Sequence, residues 1–291
     1  MHKLLIGAIA ALRRADIEAP RLDAELLLAE AAGLSRLEFF ISAPTLTDSQ
    51  TRKFQEMVER RSEREPLAYI LGRREFYSLE FKVSDEVLIP RPDTEILVTA
   101  ALEAIGGRRN LRILDLGTGS GAIAIALAVN APFACLTATD ISSDALNIAR
   151  SNAISQGVAA RISFIHADCW TPIDPARPLG QFDLIVSNPP YIGEAELASL
   201  EPEVRRYEPG IALTPGPDAL TFYRRIAAGL GGHLAPDGTL LLELGYGQAS
   251  AASAIVSEAG LRTVAITNDL AGIPRVLCAT RLPLLDREEA G

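Results

Sequence analysis

Cysteine and histidine are both scarce in this chain. Its three cysteines, Cys135, Cys169 and Cys278, lie far apart, and none belongs to a C-x-x-C pair. That argues against a disulfide framework or a cysteine zinc site and fits a reducing compartment. The three histidines, His2, His166 and His233, are equally scattered, so no metal centre is expected. Positive charge is short as well: 28 Lys and Arg face 37 Asp and Glu, a net charge of -9. Nucleic-acid binding draws much of its strength from Lys and Arg on phosphates, so stable nucleic-acid binding is not expected. Long apolar runs are missing too. None reaches the roughly 18–20 residues that span a bilayer. The first apolar run is short and soon meets Arg13, Arg14, Asp16 and Glu18, so it reads as the opening helix of a domain rather than a signal peptide. The expectation is a cytoplasmic protein with no membrane partner.

What remains is an ordinary globular composition, 48% hydrophobic and 22% charged over 291 residues, enough for one large domain or two smaller ones. Residues 1–73 carry apolar positions at helical spacing, with Pro20 placed to open a helix, Gly33 to close it, and Thr47 or Asp48 to cap another. Residues 74–92 change character: Phe76, Leu79, Phe81, Val83 and Val87 suggest a β-hairpin linker, closed by Pro90 and Pro92. From 93 to 291 apolar strands alternate with helices, which predicts an α/β domain built on a mostly parallel, Rossmann-like sheet. The last two predicted strands, 262–267 and 275–280, have no helix between them and should pair antiparallel at one edge.

The first strand of that domain, 112–116, runs into Asp115-Leu-Gly117-Thr118-Gly119-Ser120-Gly121, and a helix follows. Glycines there allow tight turns and close approach of a ligand to the backbone. The helix start offers free N–H groups. Asp140 ends the next strand about 20 residues on, where a carboxylate can accept ribose hydroxyls. Gly117, Gly119 and Ala122 also satisfy the dinucleotide pattern. Asp115 discriminates: a pyrophosphate would be repelled by it, whereas a sulfonium with an amino-acid tail would not. Asp168, at the end of the third strand, is a further cofactor candidate or an ordinary turn aspartate.

The fourth strand ends in Ser187-Asn188-Pro189-Pro190-Tyr191. Two prolines fix the backbone and remove two N–H donors, leaving a rigid corner rich in acceptors. The Asn188 side-chain oxygen and the Pro189 carbonyl could each accept one N–H of a planar –NH2 group, and Tyr191 could stack on it. An amide nitrogen is a poor nucleophile because its lone pair is delocalised. Acceptors aimed at its hydrogens would raise its electron density and orient it for transfer.

The D-x-G-x-G-x-G loop followed by Asp140 resembles the class I S-adenosyl-L-methionine-dependent methyltransferases. Asn-Pro-Pro-Tyr after the fourth strand is similar to the mark of enzymes that methylate planar nitrogens. The runs 66–72 (Pro-Leu-Ala-Tyr-Ile-Leu-Gly), 74–77 (Arg-Glu-Phe-Tyr) and 88–95 (Leu-Ile-Pro-Arg-Pro-Asp-Thr-Glu), with Glu208-Pro209, resemble the release factor N5-glutamine methyltransferases over nearly the whole chain. The resemblance implies a class I methyltransferase sheet preceded by a small all-α domain that docks the substrate, here 1–73, and a hairpin linker. It implies methyl transfer to the glutamine of the Gly-Gly-Gln motif in class 1 peptide chain release factors. Gly117, Thr118, Gly119, Ser120, Gly121, Asp140, Asp168, Cys169 and Asn188 would contact the cofactor; Asn188, Pro189, Pro190 and Tyr191 would hold the glutamine. Some members have an aromatic residue where Cys169 stands, so Cys169 and Trp170 both remain candidates to cover the adenine. Arg91 would bind an acidic group or pair with Asp93 or Glu95. Alternatives are a ribosomal-protein glutamine methyltransferase, a DNA or RNA amino-methyltransferase, and a nicotinamide oxidoreductase, the last leaving Asn-Pro-Pro-Tyr unexplained.

Overall fold

A computed structural model describes residues 2–42, 44–172, 174–176 and 178–281, so the end of the domain assigned to 93–291 lies outside the described residues. The described residues form two units, those within 2–73 and 200–207, and those within 74–199 and 208–281.

The first unit opens with five helices: α1 (His2–Arg14), α2 (Pro20–Ala32), α3 (Arg36–Ser42), α4 (Asp48–Ser62) and α5 (Leu67–Leu71). Pro20 supplies the first residue of α2, where its missing N–H costs nothing, and Gly33 ends that helix in the left-handed region at φ 74°. Thr47 caps α4 in a reciprocal box with Gln50. Leu12, Leu27, Leu28, Phe39 and Phe54 are buried among these helices.

The second unit begins with a hairpin, β1 (Arg73–Phe76) and β2 (Leu79–Lys82), whose two-residue turn places both Tyr77 and Ser78 at positive φ. The Glu95 carboxylate accepts the Tyr77 N–H at 2.8 Å and helps hold that turn. Phe76 and Phe81 sink into the main core, so the hairpin is part of the second unit's packing. Then follow α6 (Thr94–Ile105), β3 (Arg112–Leu116), α7 (Ala122–Asn130), β4 (Cys135–Asp140), α8 (Ser143–Ser155), β5 (Ile162–Asp168), β6 (Thr171–Pro172) and β7 (Phe182–Ser187). The chain then gives α9 (Pro202–Tyr207) to the first unit and returns with α10 (Gly210–Leu213), α11 (Thr221–His233), β8 (Leu234–Glu243), α12 (Ala249–Glu258), β9 (Leu261–Asn268) and β10 (Pro274–Arg281).

The sheet order is β6-β5-β4-β3-β7-β8-β10-β9. The five strands from β5 to β8 are parallel. β10 runs antiparallel between β8 and β9, which leaves β9 at the edge with an exposed face. Central strands are buried on both faces, as Ile113, Leu114, Leu184 and Ile185 illustrate, each fully inaccessible. Order reverses beside β3: the chain steps outward through β4 and β5, then crosses back to β7 on the other flank. In such sheets a crevice opens beyond the carboxyl ends of the strands at the reversal. Ser187 Oγ donates to the Leu116 carbonyl at 2.7 Å and ties the two strand ends that border it.

In the first unit α9 is held by charge. Arg61, buried, donates to Asp23 at 2.8 Å and to Glu203 at 3.1 Å, while Arg64 reaches Glu203 at 2.6 Å and Glu201 at 3.0 Å. Breaking a buried pair from one side leaves its partner uncompensated. Arg61→Ala is therefore expected to destabilise the helical unit by roughly 3 kcal/mol. Urea denaturation followed by circular dichroism measures this; an unchanged midpoint would show that solvent screens the pair.

Candidate functional site

At the reversal point the strand ends converge on a cleft that opens to solvent, the place where open α/β sheets bind ligands. Gly117, Gly119, Asp140, Asp168, Cys169, Asn188, Pro189 and Pro190 all line it. Residues that are separated by up to 73 positions are thus brought to one place by strands pointing the same way.

The glycine loop hangs from Asp115, which is fully buried. Its Oδ2 accepts the Thr118 hydroxyl at 2.6 Å and the Ala124 N–H at 3.1 Å, while Oδ1 is buried without a partner. Burial pushes its pKa up to about 7; the bonds from Thr118 and Ala124 oppose the shift and the nearby Asp140 charge adds to it. Gly117, Gly119 and Gly121 all sit at positive φ. A side chain at Gly121 would come within 2.8 Å of Ile125 and 3.1 Å of Ala149, so this glycine serves packing. Gly117 and Gly119 face open space in the cleft. Thr118, Ser120 and Gly121 are not in the lining: Thr118 and Ser120 are turned inward, nearly inaccessible.

Asp140 braces the same loop, accepting the Gly119 N–H at 2.8 Å through Oδ2 and the Ser142 N–H at 2.9 Å through Oδ1. Each oxygen keeps a second lone pair for a ligand hydroxyl. Burial raises its pKa, opposed by these backbone donors. Asp168 pairs with Arg225 at 2.5 Å. Cys169 stands at positive φ, and burial raises its thiol to about 11, leaving a neutral group on the wall.

Asn188 donates its Nδ2–H to Thr94 Oγ1 at 3.1 Å. Its side-chain oxygen is therefore the end available to the cleft. Beyond it, Tyr191 departs from the aromatic wall expected at this corner. It is absent from the lining, and its hydroxyl donates to Glu243 Oε1 at 3.1 Å. A buried phenol needs a polar partner, and Glu243 supplies one on the far side of the corner. Trp170 is likewise turned away: its indole stacks on His233 with centroids 4.8 Å apart and donates to the Arg225 carbonyl at 2.9 Å. Of the two candidates, Cys169 is the one at the cleft. Arg91 pairs with neither Asp93 nor Glu95 but with Glu208 at 2.6 Å, which also accepts the Ile89 N–H at 3.2 Å.

Several lining residues escaped the sequence reading: Glu86, Val87 and Leu88 before the prolines, Ile141 directly after Asp140, and Phe222 and Ile226 on α11. Only Ile141 had a local signal, its place beside a strand-ending carboxylate. Among the described residues no cluster of His, Cys, Asp and Glu could hold a metal, and no helix is long and apolar enough to cross a membrane.

Comparison with known proteins bears on this geometry. The PrmC N-terminal domain family model matches residues 3–72, and the methyltransferase small domain model matches residues 92–200. The release factor glutamine methyltransferase of Agrobacterium fabrum is 41% identical over 282 residues, 95% of this chain and 96% of that protein. The protein of the same name from Bordetella pertussis is 43% identical over 263 residues, 90% of this chain and 95% of that one. Among solved structures, the hMettl16 catalytic domain aligns with a TM-score of 0.55 at 18% identity, covering 79% of this chain and 83% of that one; it shares the fold.

The unpartnered Asp115 oxygen yields a pH prediction. Because its folded pKa lies above the unfolded value, Asp115 contributes stability at low pH that is lost as pH rises toward about 7. Asp115→Asn removes that loss. Its melting temperature relative to the unaltered ligand-free protein should rise between about pH 4 and about pH 7 and level off above that. Differential scanning fluorimetry across that range tests it, and a difference independent of pH would refute the assignment.

Proposed function

We propose, from the premise that the chain belongs to the release factor glutamine methyltransferase family, that it transfers a methyl group from S-adenosyl-L-methionine to the side-chain amide nitrogen of a glutamine. The acceptor is the Gly-Gly-Gln glutamine of class 1 peptide chain release factors. The observation that carries this reading is the commitment of the Asn188 –NH2 to Thr94, which leaves two acceptors, Asn188 Oδ1 and the Pro189 carbonyl, on a proline-stiffened corner.

The residues present suit the cofactor. Gly117 and Gly119 leave the backbone uncovered where a ligand must come close. Asp140 retains lone pairs for the ribose hydroxyls. The orphaned Asp115 Oδ1 places negative potential behind the loop, where a cationic amino-acid sulfonium is favoured over a pyrophosphate. Ile141, Cys169 and Phe222 give an apolar setting for a base, with Asp168 available to an exocyclic amine once it exchanges Arg225. When bound, S-adenosyl-L-methionine supplies an electrophilic methyl group on a positively charged sulfur.

The chain's own work is orientation. Asn188 Oδ1 and the Pro189 carbonyl each accept one N–H of the glutamine amide, which fixes its plane and draws electron density onto nitrogen. The proton that nitrogen must shed is already aimed at an acceptor, so no strong base is needed. Pro189 and Pro190 hold these oxygens in place without offering competing donors. Holding the reactants in line contributes positioning rather than new chemistry. The helical unit 1–73 with 200–207 is proposed as the docking surface for the protein substrate. The three cysteines are all free, which supports a reducing, cytoplasmic setting.

Mass spectrometry tests the proposal directly. A recombinant class 1 release factor incubated with the protein and S-adenosyl-L-methionine should gain one methyl on the Gly-Gly-Gln glutamine. Asn188→Ala should lower kcat by about 100-fold or more, as expected for loss of a group that orients the reacting atom. A methylated ribosomal protein with an untouched release factor would overturn the substrate assignment.

A further inference from the structure

Asn152 lies in the third turn of α8 and is buried, 2% exposed. Its side-chain amide joins two segments that are far apart in sequence. On one side Oδ1 accepts the Lys82 N–H at 2.8 Å and Nδ2 donates to the Lys82 carbonyl at 3.0 Å. The amide thus pairs with the last residue of β2 as a residue of a neighbouring strand would. On the other side Nδ2 donates to the Ser120 carbonyl in the glycine loop at 2.9 Å. Both –NH2 hydrogens and the oxygen are committed, and every partner is a backbone group whose polarity cannot reverse.

The bond to Ser120 fills a specific gap. In a regular helix the Ala124 N–H would go to the carbonyl four residues earlier, that of Ser120. Here Ala124 gives its N–H to Asp115. Ser120 is 3% exposed, so water is no ready substitute and an unmatched carbonyl there would be costly. Asn152 supplies the donor. Asp115 and Asn152 take the two ends of one missing helical bond and between them hold the start of α7.

Helix α8 meets the glycine loop at two further points. Ala149, one turn before Asn152, lies 3.1 Å from where a side chain on Gly121 would begin. Ser142, the N-cap of α8, gives its N–H to Asp140, which also accepts the Gly119 N–H. The loop therefore rests on α8 along much of the helix, and Asn152 is the point where β2 joins the same support.

Strand β2 leads on to Glu86, Val87 and Leu88, which line the cleft together with Gly117 and Gly119. We propose that Asn152 is a positioning residue for the cofactor: one amide bonds both β2 and the glycine loop and so fixes the spacing between two walls of the cleft. The hairpin linker is by this account part of the cofactor site. The proposal rests on the methyltransferase reading above. Gln156, one turn further along α8, supplies a control. Its Nε2 donates to the Glu80 carbonyl at 2.8 Å, so it fastens α8 to the same strand through a bond that ends on the hairpin and not on the glycine loop.

Calorimetry with S-adenosylhomocysteine, the cofactor without its methyl group, and residue-resolved hydrogen exchange test this on the full chain, with melting curves to confirm folding. Asn152→Ala should bind S-adenosylhomocysteine about tenfold more weakly, as expected for the loss of two or three hydrogen bonds that shape the site. In the same ligand-free variant the amides of 117–121 should exchange faster. Asn152→Asp, which keeps the size and the acceptor for the Lys82 N–H but lacks both donors, should show the same two changes. Gln156→Ala should show neither. In the unaltered protein, bound S-adenosylhomocysteine should slow exchange at the Lys82 N–H, although Lys82 is not among the residues that line the cleft. Unchanged affinity and loop exchange in a folded Asn152 variant, equal changes in Gln156→Ala, or a Lys82 amide indifferent to S-adenosylhomocysteine overturns the positioning role and leaves the methyltransferase reading standing. No binding of S-adenosylhomocysteine by the unaltered protein overturns the reading itself.

Discussion

Asp115 carries a carboxyl group into the core, and the geometry of the cleft hangs from it. One of its oxygens holds the Thr118 hydroxyl and the N–H of Ala124 in the first turn of α7, so strand, loop and helix share a single anchor. With that anchor in place Gly117 and Gly119 turn their bare backbone outward and Gly121 turns inward against Ile125 and Ala149. A helix start alone would tolerate many loop shapes. A carboxylate bonded to both the loop and the helix permits few.

Glu243 holds a similar position two strands away. Both carboxyls are almost wholly buried, both have an oxygen without a partner, and both are pushed up to about 7 by burial. Burying charge without full compensation costs stability. Proteins tolerate such costs mainly where a site requires them. The two groups lie behind the two halves of the cleft, Asp115 behind the glycine loop and Glu243 behind the Asn-Pro-Pro-Tyr corner. Between them β3 and β7 run side by side, joined at their ends by Ser187.

Much of this was legible in the sequence where the signal was local. Strands 112–116 and 182–187 announce themselves as short apolar runs, and the glycine loop, Asp140 and Asn188 follow them directly. The antiparallel pairing of the last two strands was readable from the missing helix, although β10 lies inside the sheet and only β9 forms its edge. Helix α6 was missed, although Glu95, Thr99 and Glu103 recur every four residues on one face and Leu97, Val98, Ala101 and Ile105 are buried on the other. Its start was nonetheless marked by Pro92 and Asp93. The directions of Tyr191 and Trp170 could not be read, because each is decided by a partner distant in sequence: Glu243 for the first, His233 and the Arg225 carbonyl for the second. The same holds for Arg91, whose partner Glu208 is 117 residues away. Glu243 had no motif at all and emerges only as the partner of the Tyr191 hydroxyl.

Helix α9 belongs by packing to the first unit and by sequence to the middle of the second. This fixes an order of events during synthesis. The residues of α1 to α5 leave the ribosome ahead of α9, and Arg64 lacks Glu203 until 139 further residues have followed. The small unit therefore cannot be finished before the strands that carry the glycine loop and the Asn-Pro-Pro-Tyr corner have already emerged. Vectorial folding, which usually completes an N-terminal domain before the next begins, here leaves the two units to mature together.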